Sequence, residues 1–176
     1  EPAEVEQSKS ICQGGGTGIN LPMLGSPVAL IYNIPGIDSL VLDPAAIAKI
    51  YTGKITSWND AAIRQLNPGV ELPATPVQAF HRSSSSGVNR TLSRYLSATA
   101  GNGDWLAPGG LGVQTSSDVV EQVKQVNGSI GYVELTYAIA DTLNTVNLDT
   151  GAERPVEPTT ETASKGIAAS RVVGTG

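Results

Sequence analysis

The chain has 176 residues, 40% of them hydrophobic and 15% charged, which fits one domain with a sizeable core. Its net charge of −5, with no cluster of Lys and Arg, excludes a nucleic-acid or anionic-membrane surface, so any anion must be held by a local site against the overall field. One cysteine, Cys12, and one histidine, His81, exclude an internal disulfide and a thiolate or imidazole metal cluster, and no metal or cofactor is expected.

No apolar run nears the roughly 20 residues that span a bilayer, so no membrane span is expected. The chain starts at Glu1 without a signal segment and reads as a processed or excised piece. Residues 1–11 carry charge at near-helical spacing and predict a short helix. Gly14 to Gly18 follow as a flexible connection, lacking the Lys and Ser/Thr of a P-loop and the spacing of a dinucleotide fingerprint. Pro27 to Asn33 is a near-continuous apolar run suited to a strand covered on both faces.

Asp43 as N-cap, Pro44 at the first helical position, apolar Ile47 and Ile50, and Gly53 past the end predict a short helix. Asn59 or Asp60 opens another, through Leu66, which Asn67-Pro68-Gly69 stops; Trp58 before it is a packing anchor. Pro76 to Phe80 reads as a second core strand. It feeds a helix over residues 87–99 with Leu92 and Leu96 on its buried face and Arg90 and Arg94 on another.

After a loop around residues 102–112, residues 116–126 predict an amphipathic helix capped by Ser116 or Ser117, with Val119, Val120, Val123 and Val126 inside. Ile130 to Leu135 is a third strand, Thr136 to Leu143 a short helical stretch, Thr145 to Leu148 an edge strand, and residues 159–170 a last helix. Strands separated by helices at short connections argue an α/β fold with a mostly parallel or mixed central sheet and helices on both faces. In such sheets ligands sit outside the carboxyl ends of strands.

The segment His81-Arg82-Ser83-Ser84-Ser85-Ser86-Gly87 occupies that place. A guanidinium, hydroxyls and a glycine at a strand-to-helix junction bring charged donors, neutral donors and free backbone N–H groups to the positive end of a helix dipole. That is the chemistry of an oxyanion site, although a Ser-Gly pair also caps a helix with no ligand at all. The same stretch admits a hydrolase reading, with one of Ser83 to Ser86 as nucleophile and His81 as base. No carboxylate stands beside His81 in sequence to orient it.

Six motifs come in the order Asn33-Ile-Pro-Gly36, Leu40-Val-Leu-Asp43, Ile50-Tyr-Thr-Gly-Lys-Ile-Thr-Ser-Trp-Asn-Asp60, Leu66-Asn-Pro-Gly69, His81-Arg-Ser83 with Ser86-Gly87, and Gly131-Tyr-Val-Glu134. From about Leu21 to Gly151 the chain thereby resembles the substrate-binding proteins of phosphate ABC transporters, the PstS type. The resemblance implies a non-enzymatic, extracytoplasmic receptor of two lobes that closes on a phosphate ion and delivers it to a membrane permease. It implies too that this chain is the second lobe alone, one domain over 1–176, with 1–20 and 152–176 near the crossovers to the first; an unpaired Cys12 fits such a piece.

Carried over by the resemblance, Arg82 grips phosphate through its bidentate fork, Ser86 donates through hydroxyl and backbone N–H, and Gly87 and Val88 offer backbone N–H groups. Two positions depart from the pattern. Ser84 stands where the family usually has an acidic partner for the arginine, and Val88 where it usually has threonine, a lost hydroxyl worth about a fivefold to tenfold loss of affinity. They leave a third reading, a sensor or surface domain of the same fold whose ligand has changed to another oxyanion. Glu134 is expected to bond backbone or the Arg82 region, or to be structural, and the five tyrosines to pack in the core or at its rim.

Overall fold

The computed structural model describes residues 6–11, 16, 25–100 and 109–169. Its strands are β1 (Val28–Asn33), β2 (Leu40–Leu42), β3 (Gln78–Arg82), β4 (Leu111–Val113), β5 (Ser129–Glu134) and β6 (Asn144–Leu148). Its helices are α1 (Pro44–Tyr51), α2 (Ala61–Leu66), α3 (Gly87–Thr99), α4 (Ser116–Gln125), α5 (Leu135–Ala140) and α6 (Thr160–Ala169). Of the helix expected over 1–11, residues 6–11 are described: 6–8 are helical and 9–11 form a turn, so the helix ends earlier than expected. Cys12 and most of the glycine run lie outside the described residues.

The six strands form one sheet in the order β2-β6-β1-β5-β3-β4. The pairs β2–β6, β3–β5 and β3–β4 are parallel, whereas β1 runs antiparallel to both β5 and β6. Five strands therefore point the same way and β1 alone opposes them, so the mixed α/β architecture matches the expectation. All five parallel strands end at one edge of the sheet, and β1 begins there, with Val28 opposite Glu134.

The strands alternate their side chains between two cores. Leu30 and Tyr32 of β1 and Ile130 and Tyr132 of β5 pack under α1, α2 and α3 with Ile47, Ile50, Tyr51, Leu92 and Leu96. Ala29, Ile31 and Val133 meet Phe80 and the valines of α4, Val119, Val120 and Val123, on the other face. Each such fully buried aliphatic side chain contributes about 1.5–3 kcal/mol by leaving water. Helices thus cover both faces because the strand period of two supplies apolar residues to each. Gly131 lets α4 pack closely on the sheet: a Cβ there would stand 2.6 Å from Val119.

Trp58 is fully buried and its indole Nε1 donates to the Gly128 carbonyl at 2.9 Å, the anchor the sequence suggests. Both termini of α1 form as marked: the Asp43 carboxylate accepts from the Ala46 N–H at 2.6 Å, and Gly53 beyond the end has φ of +69°.

Three expectations are corrected. Thr145 to Leu148 is not an edge strand, because β2, too short to show alternation, pairs along it and takes the edge. β4 occupies part of the stretch read as a loop, and β3 runs on to Arg82 because Phe80, His81 and Arg82 pair with Leu111, Gly112 and Val113. The cap of α4 is Thr115, not Ser116 or Ser117, since Thr115 and Asp118 close a reciprocal capping box.

The outer edge of β2 is also closed. The Asn67 side chain accepts from the Val41 N–H at 2.8 Å and donates to the Val41 carbonyl at 2.8 Å, standing in for a neighbouring strand. A third bond, Nδ2 to the Ile63 carbonyl at 2.9 Å, fixes the amide on α2.

Candidate functional site

At the edge where the parallel strands end, β3 passes into α3 through Ser83 to Ser86. The Ser83 N–H and hydroxyl both donate to the Val113 carbonyl, at 2.7 and 3.1 Å, which ties the exit of β3 to β4. Ser86 is extended, with φ of −145° and ψ of 158°, and its Oγ accepts the Asn89 N–H at 3.3 Å as the N-cap of α3. That bond uses the oxygen and leaves the hydroxyl proton to donate elsewhere. The N–H groups of Gly87 and Val88 open the helix ahead of Asn89.

The structure brings Arg82, Ser86, Gly87 and Val88 to one strand-to-helix junction, in unequal roles. Arg82 closes β3; its Nη2 donates to Ser84 Oγ at 3.3 Å, and its Nε is buried with no hydrogen-bond partner among the described residues. Gly87 is exposed, and a Cβ there would meet no atom within 4 Å. Neither packing nor a left-handed backbone asks for glycine at this position. Val88 turns its side chain into the core beside Leu92, so only its backbone faces the junction.

The sequence reading missed the residue that holds the loop. Asn89 Nδ2 donates to the Arg82 carbonyl at 2.7 Å and to the Ser84 carbonyl at 3.0 Å, and its Oδ1 accepts from the Tyr132 hydroxyl at 2.8 Å. Tyr132 is buried on β5 and meets Tyr51 edge-on, ring centroids 5.4 Å apart. The Tyr51 hydroxyl in turn lies 3.4 Å from the Phe80 carbonyl of β3. Burial pushes the Tyr51 and Tyr132 phenols well above their ordinary range, so both remain neutral donors. These tyrosines pack in the core as expected, but Tyr132 also bonds the loop. The signal that could have found Asn89 was its place three residues after the cap, where a side chain can reach back over the turn.

His81 and the serines do not assemble as a nucleophile and base. His81 Nδ1 lies 3.0 Å from the Arg82 carbonyl, and among the described residues no hydrogen bond joins it to a serine. Glu134 precedes α5 without capping it, and its Oε2 is buried without a partner; no ion pair links it to Arg82 among the described residues.

Electrostatically α3 stands apart. Asp43 and Asp60 cap α1 and α2, Asp118 lies in the first turn of α4, Glu134 precedes α5, and Glu161 lies in the first turn of α6. The first turn of α3 holds no acid, and Arg82 adds a cation beside it. A groove of about 370 Å³ continues from this N-terminus along Gly87, Arg90, Thr91 and Arg94. Another groove, about 490 Å³ between Asp43, Tyr95 and Asp149, is acidic and unsuited to an anion. No group of three His, Cys, Asp or Glu able to hold a metal occurs among the described residues. Nor is any described helix long and apolar enough to cross a membrane.

Comparison with known proteins places this arrangement in context. The family model of the PBP superfamily domain matches residues 2–171. Phosphate-binding protein PstS 3 of Mycobacterium leprae is 37% identical over 171 residues, a match covering 92% of this chain and 46% of that protein. Phosphate-binding protein PstS 2 of Mycobacterium tuberculosis is 36% identical over 184 residues, covering 99% and 50%. Among solved structures the chain is similar in fold to a high affinity periplasmic phosphate-binding protein, PfluDING, bound with phosphate. The TM-score is 0.76 at 20% identity, over 99% of this chain and 52% of that one. The chain spans about half the length of the curated relatives it matches. With the family model matching nearly its whole length, the chain belongs to the PBP superfamily domain family, and its curated relatives include the PstS phosphate-binding proteins.

Proposed function

We propose that this chain is a non-catalytic lobe that binds inorganic phosphate for uptake through an ABC transporter, with no cofactor. Arg82, the Ser86 hydroxyl and the N–H groups of Ser86, Gly87 and Val88 supply the donors. The observation that carries the reading is the N-terminus of α3: alone among the described helices it lacks a carboxylate, and it has an arginine beside it instead. A helix N-terminus with free N–H groups and a fork of guanidinium donors suits a tetrahedral dianion. The open space at Gly87, where the described residues place no atom within 4 Å of a Cβ, lets an ion approach the backbone closely.

The course of the chain at this edge supports the reading of a second lobe. β1 enters the sheet at Val28 and β6 leaves it at Leu148, both at the edge that carries the anion loop. A body joined through both segments would lie over the loop and could complete the ion's contacts by closing on it, with the free energy of closure coming from the donors satisfied only in that state. On this reading the present chain is the second lobe and binds phosphate weakly by itself. The full protein works outside the cytoplasm, as the periplasmic neighbour does, and hands phosphate to a membrane permease.

Titration of phosphate into the isotope-labelled chain tests the reading. The amide resonances of Ser86, Gly87 and Val88 should move together, and Arg82→Ala should abolish the movement. Larger shifts with sulfate than with phosphate would favour instead a domain whose ligand has changed.

A further inference from the structure

A loop that surrounds an anion has to present donors and hide acceptors, yet every peptide unit carries one of each. We propose that Asn89, locked by Tyr132, is the positioning residue of the anion loop: it holds the carbonyls of Arg82 and Ser84 to the α3 side, so that these two acceptors are turned away from the ion. The inference rests on the phosphate reading above.

The geometry follows from the valences of one carboxamide. Both loop carbonyls can only accept, and they lie 2.7 and 3.0 Å from Asn89 Nδ2, so both amide hydrogens are committed to them. The amide oxygen therefore faces Tyr132, whose hydroxyl must donate across its 2.8 Å. A phenol kept neutral by burial is always available for this, and it blocks the flipped orientation of the amide. Because a trans peptide points its C=O and N–H in opposite directions, holding the Ser84 carbonyl at Asn89 sends the Ser85 N–H away from it. Holding the Arg82 carbonyl fixes the backbone from which the guanidinium springs. Asn89 is itself held by Ser86 at its N–H, so cap, loop and strand end are set by one residue.

The test is a double-mutant cycle on the full chain, with inorganic phosphate as ligand and affinity read from amide shifts. Asn89→Ala should weaken binding about tenfold, the order expected for two hydrogen bonds. Tyr132→Phe, which keeps the ring and loses the hydroxyl, should weaken it about threefold, and should cost nothing further in the Asn89→Ala background, because Tyr132 acts through Asn89. In the absence of phosphate, Asn89→Ala should also speed solvent exchange of the amides of residues 83–87 while leaving that of Leu92 to Leu96 in α3 unchanged; loss of protection along the whole helix would mark a merely structural role and overturn the proposal. Binding within twofold of the unsubstituted chain, or an equal cost of Tyr132→Phe in both backgrounds, overturns the proposal. If the unsubstituted chain binds no phosphate, the reading above fails but the loop exchange still decides, and unchanged exchange in Asn89→Ala overturns the inference. Should Asn89→Ala not fold, Tyr132→Phe alone decides, with unchanged affinity and loop exchange as the overturning result.

Discussion

Two helices, α3 and α4, leave the same edge of the sheet after neighbouring parallel strands, β3 and β4, and both start behind a hydroxyl cap, Ser86 or Thr115. Their third residues differ. In α4 that residue is Asp118, whose carboxylate turns back to accept the Thr115 N–H at 2.9 Å, so the positive end of the helix is neutralised from within. In α3 it is Asn89, which donates into the preceding loop and leaves the charge of the N-terminus uncompensated beside Arg82. One helix spends its N-terminus on its own stability, and the other leaves it open where we propose the anion binds.

The comparison can be broken most severely at Arg82. Arg82→Ala should cost ~100-fold or more in phosphate affinity, since two charge-assisted hydrogen bonds are lost together, and calorimetry of the chain would measure it. Asn89→Asp makes α3 resemble α4 and should weaken phosphate binding about 30-fold, because a carboxylate repels the ion and cannot donate to the loop carbonyls. An affinity unchanged by that substitution would mean that the acid-free N-terminus is irrelevant to binding.

The two cores beneath these helices differ as well. Tyr32, Tyr51 and Tyr132 are all buried on the α3 side, whereas the fully buried residues on the α4 side are aliphatic apart from Phe80, with Tyr137 only half-buried against them. Burial, with a smaller push from Asp38, raises Tyr32 from the usual 10.0 to about 12, and Tyr51 and Tyr132 rise too. Unfolding releases these protons at the ordinary value, so the stability they lend is whole below pH 10.0 and is lost as pH climbs toward about 12. Hydrogen exchange across that window should show α3 losing protection before α4; the reverse order would contradict the assignment. The smallest effect is expected at Asp118→Asn, about 1 kcal/mol of stability in urea denaturation, with no new phosphate site because β4 ends in Val113 where β3 ends in Arg82.

Much of this was legible along the chain. The caps and stops of α1 and α2 and the apolar runs of β1 and β5 are local signals, and the Arg82 to Val88 junction shows in the change from an apolar strand to a capped helix. What escaped was short or non-local. The three residues of β2 and of β4 cannot display an alternation. Without β2, β6 looked like the edge it is not. Asn89 and Tyr132 are 43 residues apart, and only the pairing of β3 with β5 brings them together. Ser84 and Val88 show what a sequence pattern misses in the other direction. The Ser84 hydroxyl still contacts Arg82, and Val88 gives its side chain to the core.

The amide of Asn67 on the flank of β2 bears on how copies of this chain meet. An unpaired strand flank is a template on which another polypeptide can add, the first step of fibre growth and of strand exchange between molecules. Val41 offers none, since its N–H and carbonyl are already occupied by Asn67. Concentrated solutions of Asn67→Ala should therefore self-associate through β2, while the unsubstituted protein is protected on that side by a single side chain.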